Sequence, residues 1–208
     1  GSGAKAALKS AIASLEAADE KMSQYRMLEQ SFKRAMELVG KITGHAQSGY
    51  MMPLVLPVQT ELMTLLPDAI ASGDMQAASQ KLEGYFTKLN EYLQMADDYA
   101  TYLTKRADPA GEPILDKLEK HDHRYAIKPS IDSIRKKLAD ADKLIAEHKV
   151  QDALKLIEEV HKLGLSANML ADMRNNDKPS PADVQKILER PGGAEELDAM
   201  IDQLEPDA

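Results

Sequence analysis

Residues 4–39 are the longest segment without proline or glycine, and they constrain the fold most. Between Ala4 and Thr43 there is no proline, and Gly40 is the one glycine. Proline interrupts a helix and glycine weakens it, so this composition favours a helix. Apolar side chains recur every three or four residues, at Leu8, Ala11, Leu15, Ala18, Met22, Tyr25, Phe32, Met36 and Val39. This spacing predicts one amphipathic helix, about 60 Å long, that ends near Gly44.

A helix of this length is longer than a small domain is wide, so it must lie along a bundle, pair with another chain or project. Its near-heptad apolar spacing is typical of bundle helices and coiled coils. Glu29 interrupts the series where the next apolar residue is due. We therefore interpret the helix as the spine of a bundle rather than as an independent coiled coil. Its expected partner is a second long proline-free helix, from Met75 to Lys105.

The segment between the two long helices is rich in proline. Pro53 and Pro57 bracket an apolar stretch that begins with Met51 and Met52. Because proline removes a helical hydrogen bond, we expect a connector or a short helix entry here. A helix would then continue from Pro57 to about residue 66, and Pro67 would kink or restart it. A break at residues 72–74, with the Asp74 side chain as N-cap, precedes the second long helix.

Shorter helices are predicted in the second half of the chain. A run rich in turn-forming residues at 107–113 forms the clearest boundary. The Ser180-Pro181 pair is typical of a helix start. Gly164 and Ser166 are expected to end one helix and begin the next. The predicted helices cover residues 114–121, 130–147, 149–163, 166–174, 181–190 and 194–204.

These patterns predict an all-α fold, with a long-helix antiparallel bundle followed by a region of shorter packed helices. Aromatic residues make up only 4% of the chain, which also disfavours sheets. We assign residues 1–3 to a linker left from expression, 4–107 to the long-helix bundle and 108–129 to a connector with a short helix. Residues 130–208 form the short-helix region, in which helical hairpins could repeat.

Composition and missing motifs exclude several classes of function. The chain has no cysteine, so it forms no disulfide, thiolate metal site or thiol nucleophile. Its net charge is −8 without a concentrated basic face, which argues against nucleic acid as a partner. No apolar run looks long enough to span a membrane. Phosphate-binding loops, dinucleotide-binding glycine patterns and nucleophile elbows are absent, so we predict neither an enzyme nor a cofactor.

Two histidine clusters leave metal binding open. Glu158 and His161 have the spacing that places both side chains on one helix face, a unit that carboxylate-bridged metal sites use twice. His121 and His123 could chelate a metal if the backbone between them is extended. The competing interpretation is that each pair is solvated. The second interpretation is favoured, because neither pair has a third ligand at a predictable position.

Tyrosines and methionines are the candidate interaction residues. Tyr85, Tyr92 and Tyr99 are seven residues apart, and Tyr102 follows one turn later. Such a row could be a docking surface, because tyrosine is favoured in interfaces, or it could pack inside the bundle. Met51 and Met52 could likewise form an exposed patch for a protein or lipid, or a buried plug. Packing is the favoured interpretation in both cases.

The leading hypothesis is a non-catalytic helical interaction or scaffolding region of a larger, bacterial multidomain protein. Its partners would be another protein or other domains of the same polypeptide, and a cytoplasmic location is preferred. One alternative is a helical-bundle protein that binds a metal or small ligand through the histidines or a Met/Tyr-lined pocket. Another is an accessory domain of a secreted toxin or effector.

Overall fold

The computed structural model describes residues 1–108, 112–174 and 179–203. Within these ranges the chain forms eight helices and no strand, which confirms the all-α prediction. It divides into two compact units, Gly1–Asp97 and Asp98–Ala208. The helices are α1 (Ser2–Thr43), α2 (Ser48–Ser72), α3 (Met75–Ala107), α4 (Glu112–Glu119), α5 (Lys128–Ala146), α6 (Val150–Arg174), α7 (Pro181–Leu188) and α8 (Gly193–Gln203).

The first unit is the predicted long-helix bundle. Short connections at residues 44–47 and 73–74 force α1, α2 and the first part of α3 to run antiparallel. The helix boundaries follow the predicted caps: Gly44 is the C-cap of α1, and the Asp74 carboxylate accepts the backbone N–H of Ala77 at 3.0 Å. The shared core consists of Leu28, Ala35, Val39, Ile42, Met51, Val55, Val58, Leu62, Leu65, Ala69, Ala78, Leu82, Leu89 and Ala96.

α1 shares a core with α3, as expected, but it has a further partner that the sequence did not predict. The most extensive backbone contact of α1 is with α2, and α3 contributes to the same core. The reason is that α2 is a complete helix, not the predicted connector. It therefore supplies an apolar face along the whole buried part of α1.

Three prolines, Pro53, Pro57 and Pro67, lie inside α2 without ending it. All three are exposed, and so are Gly49 and Met63, whose carbonyls lose a helical N–H partner and can bond to water instead. The buried residues Met51, Val55, Val58, Leu62, Leu65 and Ala69 recur every three or four positions on the other face. Burial of that face outweighs the cost of the missing helical hydrogen bonds. Helix propensity alone therefore did not predict that α2 is continuous.

α2 also has the composition of a membrane span. Among the described residues it is the one helix that is long and apolar enough to cross a bilayer. Its most apolar window has a mean hydropathy of 1.2, and 28% of that window is buried within the protein. The absence of a membrane span therefore stays a prediction.

The second unit is built around the hairpin of α5 and α6, whose backbones are the closest pair in this unit. The turn between them is tight, and His148 adopts a φ of 59° there. α5 begins at Lys128 after Ile127, two residues before the predicted cap Ser130. The hairpin packs with α4 and the end of α3 around Tyr102, Ile114, Leu118, Ile127, Ile131, Ile134, Leu138, Ala141, Ala153, Ile157, Val160, Ala167 and Ala171.

α6 corrects the predicted break between residues 163 and 166. It is one helix, and Gly164 is buried in its middle. A glycine inside a helix costs about 1 kcal/mol relative to alanine. The buried face of α6 nevertheless continues through this position, with Val160 before it and Ala167 after it. Packing on both sides of Gly164 outweighs the local preference for a break.

A small cluster closes the turn between α7 and α8. Ser180 precedes α7 and Pro181 opens it, as predicted. The Arg190 guanidinium donates to the Glu196 carboxylate and to the Ser166 hydroxyl, and that hydroxyl donates to Glu196 at 2.6 Å. Although burial opposes ionisation of Glu196, hydrogen bonds from Arg190 and Ser166 prevail and hold its pKa below the ordinary value of 4.5. The predicted end of the last helix, residue 204, lies outside the described residues.

The chain divides into its two compact units at a different residue from the predicted domain boundary. The prediction placed the boundary after residue 107, whereas the units divide within α3, between Asp97 and Asp98. Tyr99 and Tyr102 explain the difference, because both belong to the hydrophobic core of the second unit. α1 begins at Ser2, within the three residues predicted as a linker. The remaining domain assignments stay predictions.

Candidate functional site

The N-terminal half of α1, residues 2–27, carries the most exposed apolar surface of the first unit. Every residue from Gly1 to Gln24 is exposed, and the first buried residue is Leu28. Exposed fractions reach 63% for Leu8, 47% for Ile12, 67% for Leu15 and 53% for Met22. We call these four side chains, together with Ala4, Ala11 and Ala18, the exposed stripe.

The exposed stripe is not an extension of the face that α1 buries. Leu8 and Ala35 are 27 residues apart, as are Leu15 and Ile42. At 3.6 residues per turn this separation is about 7.5 turns, which places each pair on opposite sides of a straight helix. α1 therefore has two apolar faces, one within the core and one in solvent. The predicted single stripe is wrong because a near-heptad pattern drifts by about 20° per heptad around a straight helix.

Charged residues of opposite sign flank the exposed stripe on one edge. Lys5 and Asp19 are two heptads apart, with Ile12 midway between them. All three thus lie along the same edge. Glu16 and Glu20 lie further round the helix, towards the polar side. The edge that borders the stripe is therefore positive at its N-terminal end and negative fourteen residues later.

The four predicted interaction tyrosines are divided between the two units. Tyr85 and Tyr92 pack against the core of the first unit, and Tyr99 packs against that of the second. Tyr102 is 3% exposed, stacks with Tyr99 at 6.3 Å between ring centroids, and donates its hydroxyl to Asp142 at 3.2 Å. Burial, together with the Asp142 carboxylate, raises the pKa of Tyr102 to about 12. These contacts are intramolecular packing, so we leave the tyrosines out of the candidate surface.

The predicted methionine patch is largely part of the core. Met51 is fully buried within the first unit, and Met52 is partly exposed. Adjacent residues of a helix point about 100° apart, so only one of two neighbours can face the core directly. The arrangement agrees with a plug at the end of the bundle.

His121 has both ring nitrogens in use. Its Nδ1 accepts the backbone N–H of His123 at 3.0 Å, and its Nε2 lies 3.0 Å from a carboxylate oxygen of Asp172. Asp172 also accepts a hydrogen bond from the buried Asn168 at 3.3 Å. The ring would have to give up one of these bonds to bind a metal. The network instead ties the turn after α4 to α6.

Glu158 and His161 both contact Lys105 at the end of α3. The Lys105 ammonium donates to Glu158 at 3.1 Å, and the His161 ring donates Nε2–H to the Lys105 carbonyl at 3.0 Å. A histidine that caps a C-terminal carbonyl has a structural role. Across the described ranges, no three His, Asp or Glu side chains come together in a way that could hold a metal ion.

A cleft of about 630 Å³ lies between α2 and α3 in the first unit. Glu61, Asp68 and Asp74 contribute carboxylates to its lining, together with the side chains of Lys81 and Tyr85. Burial and a hydrogen bond with Glu61 raise the pKa of Tyr85 to about 12. The cleft is open to solvent, unlike the enclosed apolar pockets that bind small ligands.

No family model matches the chain, and neither a curated protein nor a solved structure matches it. Function must therefore be inferred from the chain's own surface. The exposed stripe was not among the interaction residues predicted from sequence, and Ile12 and Met27 were missed as apolar positions. The signal that could have found it is helical periodicity, because counting 3.6 residues per turn separates Leu8 from Ala35.

Proposed function

We propose that this chain is a non-catalytic helical interaction region, and that the exposed stripe of α1 is its docking surface. The supporting observation is the exposure of Leu8, Ile12, Leu15 and Met22 on a helix face turned away from the core. Contiguous apolar residues in solvent mark interaction sites in folded proteins. A helix with such a face binds a groove or another helix through anchors three or four residues apart.

Burial of this surface would make a favourable contribution to binding. Complete burial of a Leu, Ile or Met side chain is worth about 1.5–3 kcal/mol. The four large side chains retain about half to two thirds of their surface. Covering them would therefore contribute about 3–8 kcal/mol per chain, before the cost of association is subtracted.

A scaffolding role in a larger, bacterial multidomain protein is the biological setting that we propose. The partner is a protein or another domain of the same polypeptide, and the contact is of the coiled-coil type. A cytoplasmic location suits this role, and delivery as part of a secreted effector is the alternative. The uneven exposure of α1 supports different roles for its two parts: residues 28–42 pack in the bundle, and residues 2–27 carry the exposed stripe.

The test is site-specific photocrosslinking in the cells that normally make the protein. A photoreactive amino acid replaces Leu15, within the stripe, or Ala13, which lies on the opposite side of the same exposed helix. We expect a discrete protein adduct from position 15 that is absent from position 13. Mass spectrometry then identifies the crosslinked protein. Equal adducts from both positions, or none from either, would contradict the proposal.

A further inference from the structure

We propose that the partner of the exposed stripe is a second copy of this chain, bound antiparallel through residues 4–22 of α1. This inference rests on the proposed function of the stripe and names its partner. Side-chain size and charge along α1 both select this pairing, and they do so in the same register. The two-fold axis crosses the interface at the level of residue 13, whose own side chain points away from the second copy.

Side-chain size is complementary in the antiparallel arrangement. With the axis at the level of residue 13, Leu8 lies opposite Ala18 of the second copy, and Leu15 lies opposite Ala11. Met22 lies opposite Ala4 in the same way. Each large side chain therefore meets an alanine, which lets two helices approach closely and interdigitate. All of these residues are exposed in the single chain, so the contact requires no rearrangement of the core.

Charge is complementary in the same register. Lys5 and Asp19 flank the apolar seam, where facing positions of an antiparallel pair are offset by about two residues from the apolar layers, so Lys5 faces Asp19 of the second copy. Two-fold symmetry repeats this ion pair at the other end of the overlap. Ile12 lies beside Ile12 of the second copy, close to the axis and between the two ion pairs. This edge of the stripe is positive at one end and negative at the other, so it is complementary to a second copy of itself that runs antiparallel.

Other helix pairings lose this match. In a parallel pair in register, Lys21 lies beside Arg26 of the second copy, and Lys5 and Asp19 are about 21 Å apart along the axis. An antiparallel pair shifted by one heptad in one direction separates Lys5 from Asp19. A shift in the other direction places Lys5 beside Arg26. Like charges at such positions oppose association, so one register is selected.

The overlap is short, so the dimer is expected to be weak. Residues 4–22 span about 28 Å of helix, which is fewer than three full heptads. An interface of this size falls at the lower end of those that form specific complexes. The fraction of dimer therefore depends on protein concentration, and substitutions in residues 4–22 shift that fraction without unfolding the bundle.

The experiment is sedimentation velocity on the full chain from about 1 μM to about 1 mM, the range of weak association. The wild-type chain is expected to shift from monomer to dimer with concentration. Leu15→Asp should abolish the shift, and the matched substitution Ala13→Asp on the opposite side of α1 should retain it. Circular dichroism on each variant checks that the helix content of the bundle is preserved.

Charge reversal tests the antiparallel register. Lys5→Asp and Asp19→Lys each place like charges opposite one another at both ends, and each should weaken dimerisation about tenfold. The double variant Lys5→Asp/Asp19→Lys restores opposite charges and should recover the wild-type dissociation constant. Failure of the double variant to recover, when each single variant weakens the dimer, would overturn this register. Single variants that dimerise like the wild type would overturn it as well.

A wild-type chain that stays monomeric over the whole range would overturn self-association. Crosslinking at position 15 then tests whether the exposed stripe binds a different partner. An adduct with a different protein retains the proposed function, whereas no adduct removes both. Binding of the monomeric chain to anionic phospholipid vesicles, lost in Leu15→Asp but not in Ala13→Asp, would assign the stripe to a lipid surface instead.

Discussion

Replacing two neighbouring residues of α2 by alanine provides a sharp test of the bundle. Leu62 is fully buried in the core of the first unit, whereas Met63 is 61% exposed. Leu62→Ala removes buried methyl groups and leaves a cavity, which costs about 2–5 kcal/mol in well-packed proteins. Met63→Ala removes a side chain that is mostly in water, so its cost is expected to stay within about 0.5 kcal/mol. The two changes differ little in helix propensity.

The assay is urea unfolding, in which far-ultraviolet circular dichroism monitors the loss of helix in the first unit. With a urea dependence of about 1–3 kcal/mol per M, a loss of about 2–5 kcal/mol should lower the Leu62→Ala midpoint by about 0.7–5 M. The Met63→Ala midpoint should stay within a few tenths of 1 M of the wild type. The urea dependence itself should be unchanged if both variants keep the same fold.

Equal small effects would refute the reasoning, because α2 would then be the loose connector that its prolines suggest. Equal large effects would also refute it. They would mean that the outer face of α2, which includes Met63, is covered in solution. The apolar composition of α2 gives this second outcome a physical meaning, since a lipid or protein contact on that face would bury it.

Three further predictions concern local features. Gly73→Ala forces an alanine into a φ of 69° and should destabilise the first unit by about 1–2 kcal/mol in urea unfolding. Gly84→Ala within α3 should instead stabilise the unit by about 0.5–1 kcal/mol. If Gly73→Ala were the more stable variant, the assignment of Gly73 to the end of α2 would be contradicted. Tyr102→Phe should cost about 1 kcal/mol at neutral pH, as measured by urea midpoints. Since the folded pKa of Tyr102, about 12, exceeds 10.0, stability should fall with rising pH between these values, and the fall should be smaller in the variant, in which only the raised pKa of Tyr85 remains. Glu196→Gln should lose the stability that the Arg190 ion pair contributes above pH 4.5. Because the pKa of Glu196 is lowered in the folded state, the difference in stability between variant and wild type should disappear as the pH falls below 4.5. A difference that persists in acid would exclude the ion pair as its source.

The parts of the fold that depend on local sequence could be predicted. α1 and α3 were predicted nearly to the residue because both lack proline and are bounded by turn-forming residues, such as Gly44 after α1 and the 72–74 break before α3. α2 and α6 could not be predicted as continuous. Each contains residues that favour a break, Pro57 and Gly164 among them, and only tertiary burial of the opposite face offsets that preference.

The candidate surface was hidden by the same apolar pattern that revealed α1. A stripe of apolar residues predicts a buried face, but it does not say which half of a long helix a bundle will cover. Counting residues per turn places Ala35 on the opposite side of α1 from Leu8, but only the structure reveals that burial begins at Leu28. The histidine contacts were equally inaccessible, since His121 and Asp172 come together only through the packing of the second unit.

Hydrogen exchange along α1, measured at several protein concentrations, tests the central claim most directly. A helix without core contacts is marginally stable in water, so amides 8–22 should exchange rapidly in dilute protein. We predict that their protection rises with concentration as the exposed stripe is covered, while the protection of amides 32–42 stays constant. Rapid exchange of amides 8–22 at every concentration up to about 1 mM, or slow exchange that is independent of concentration, would contradict docking of a second copy at the stripe.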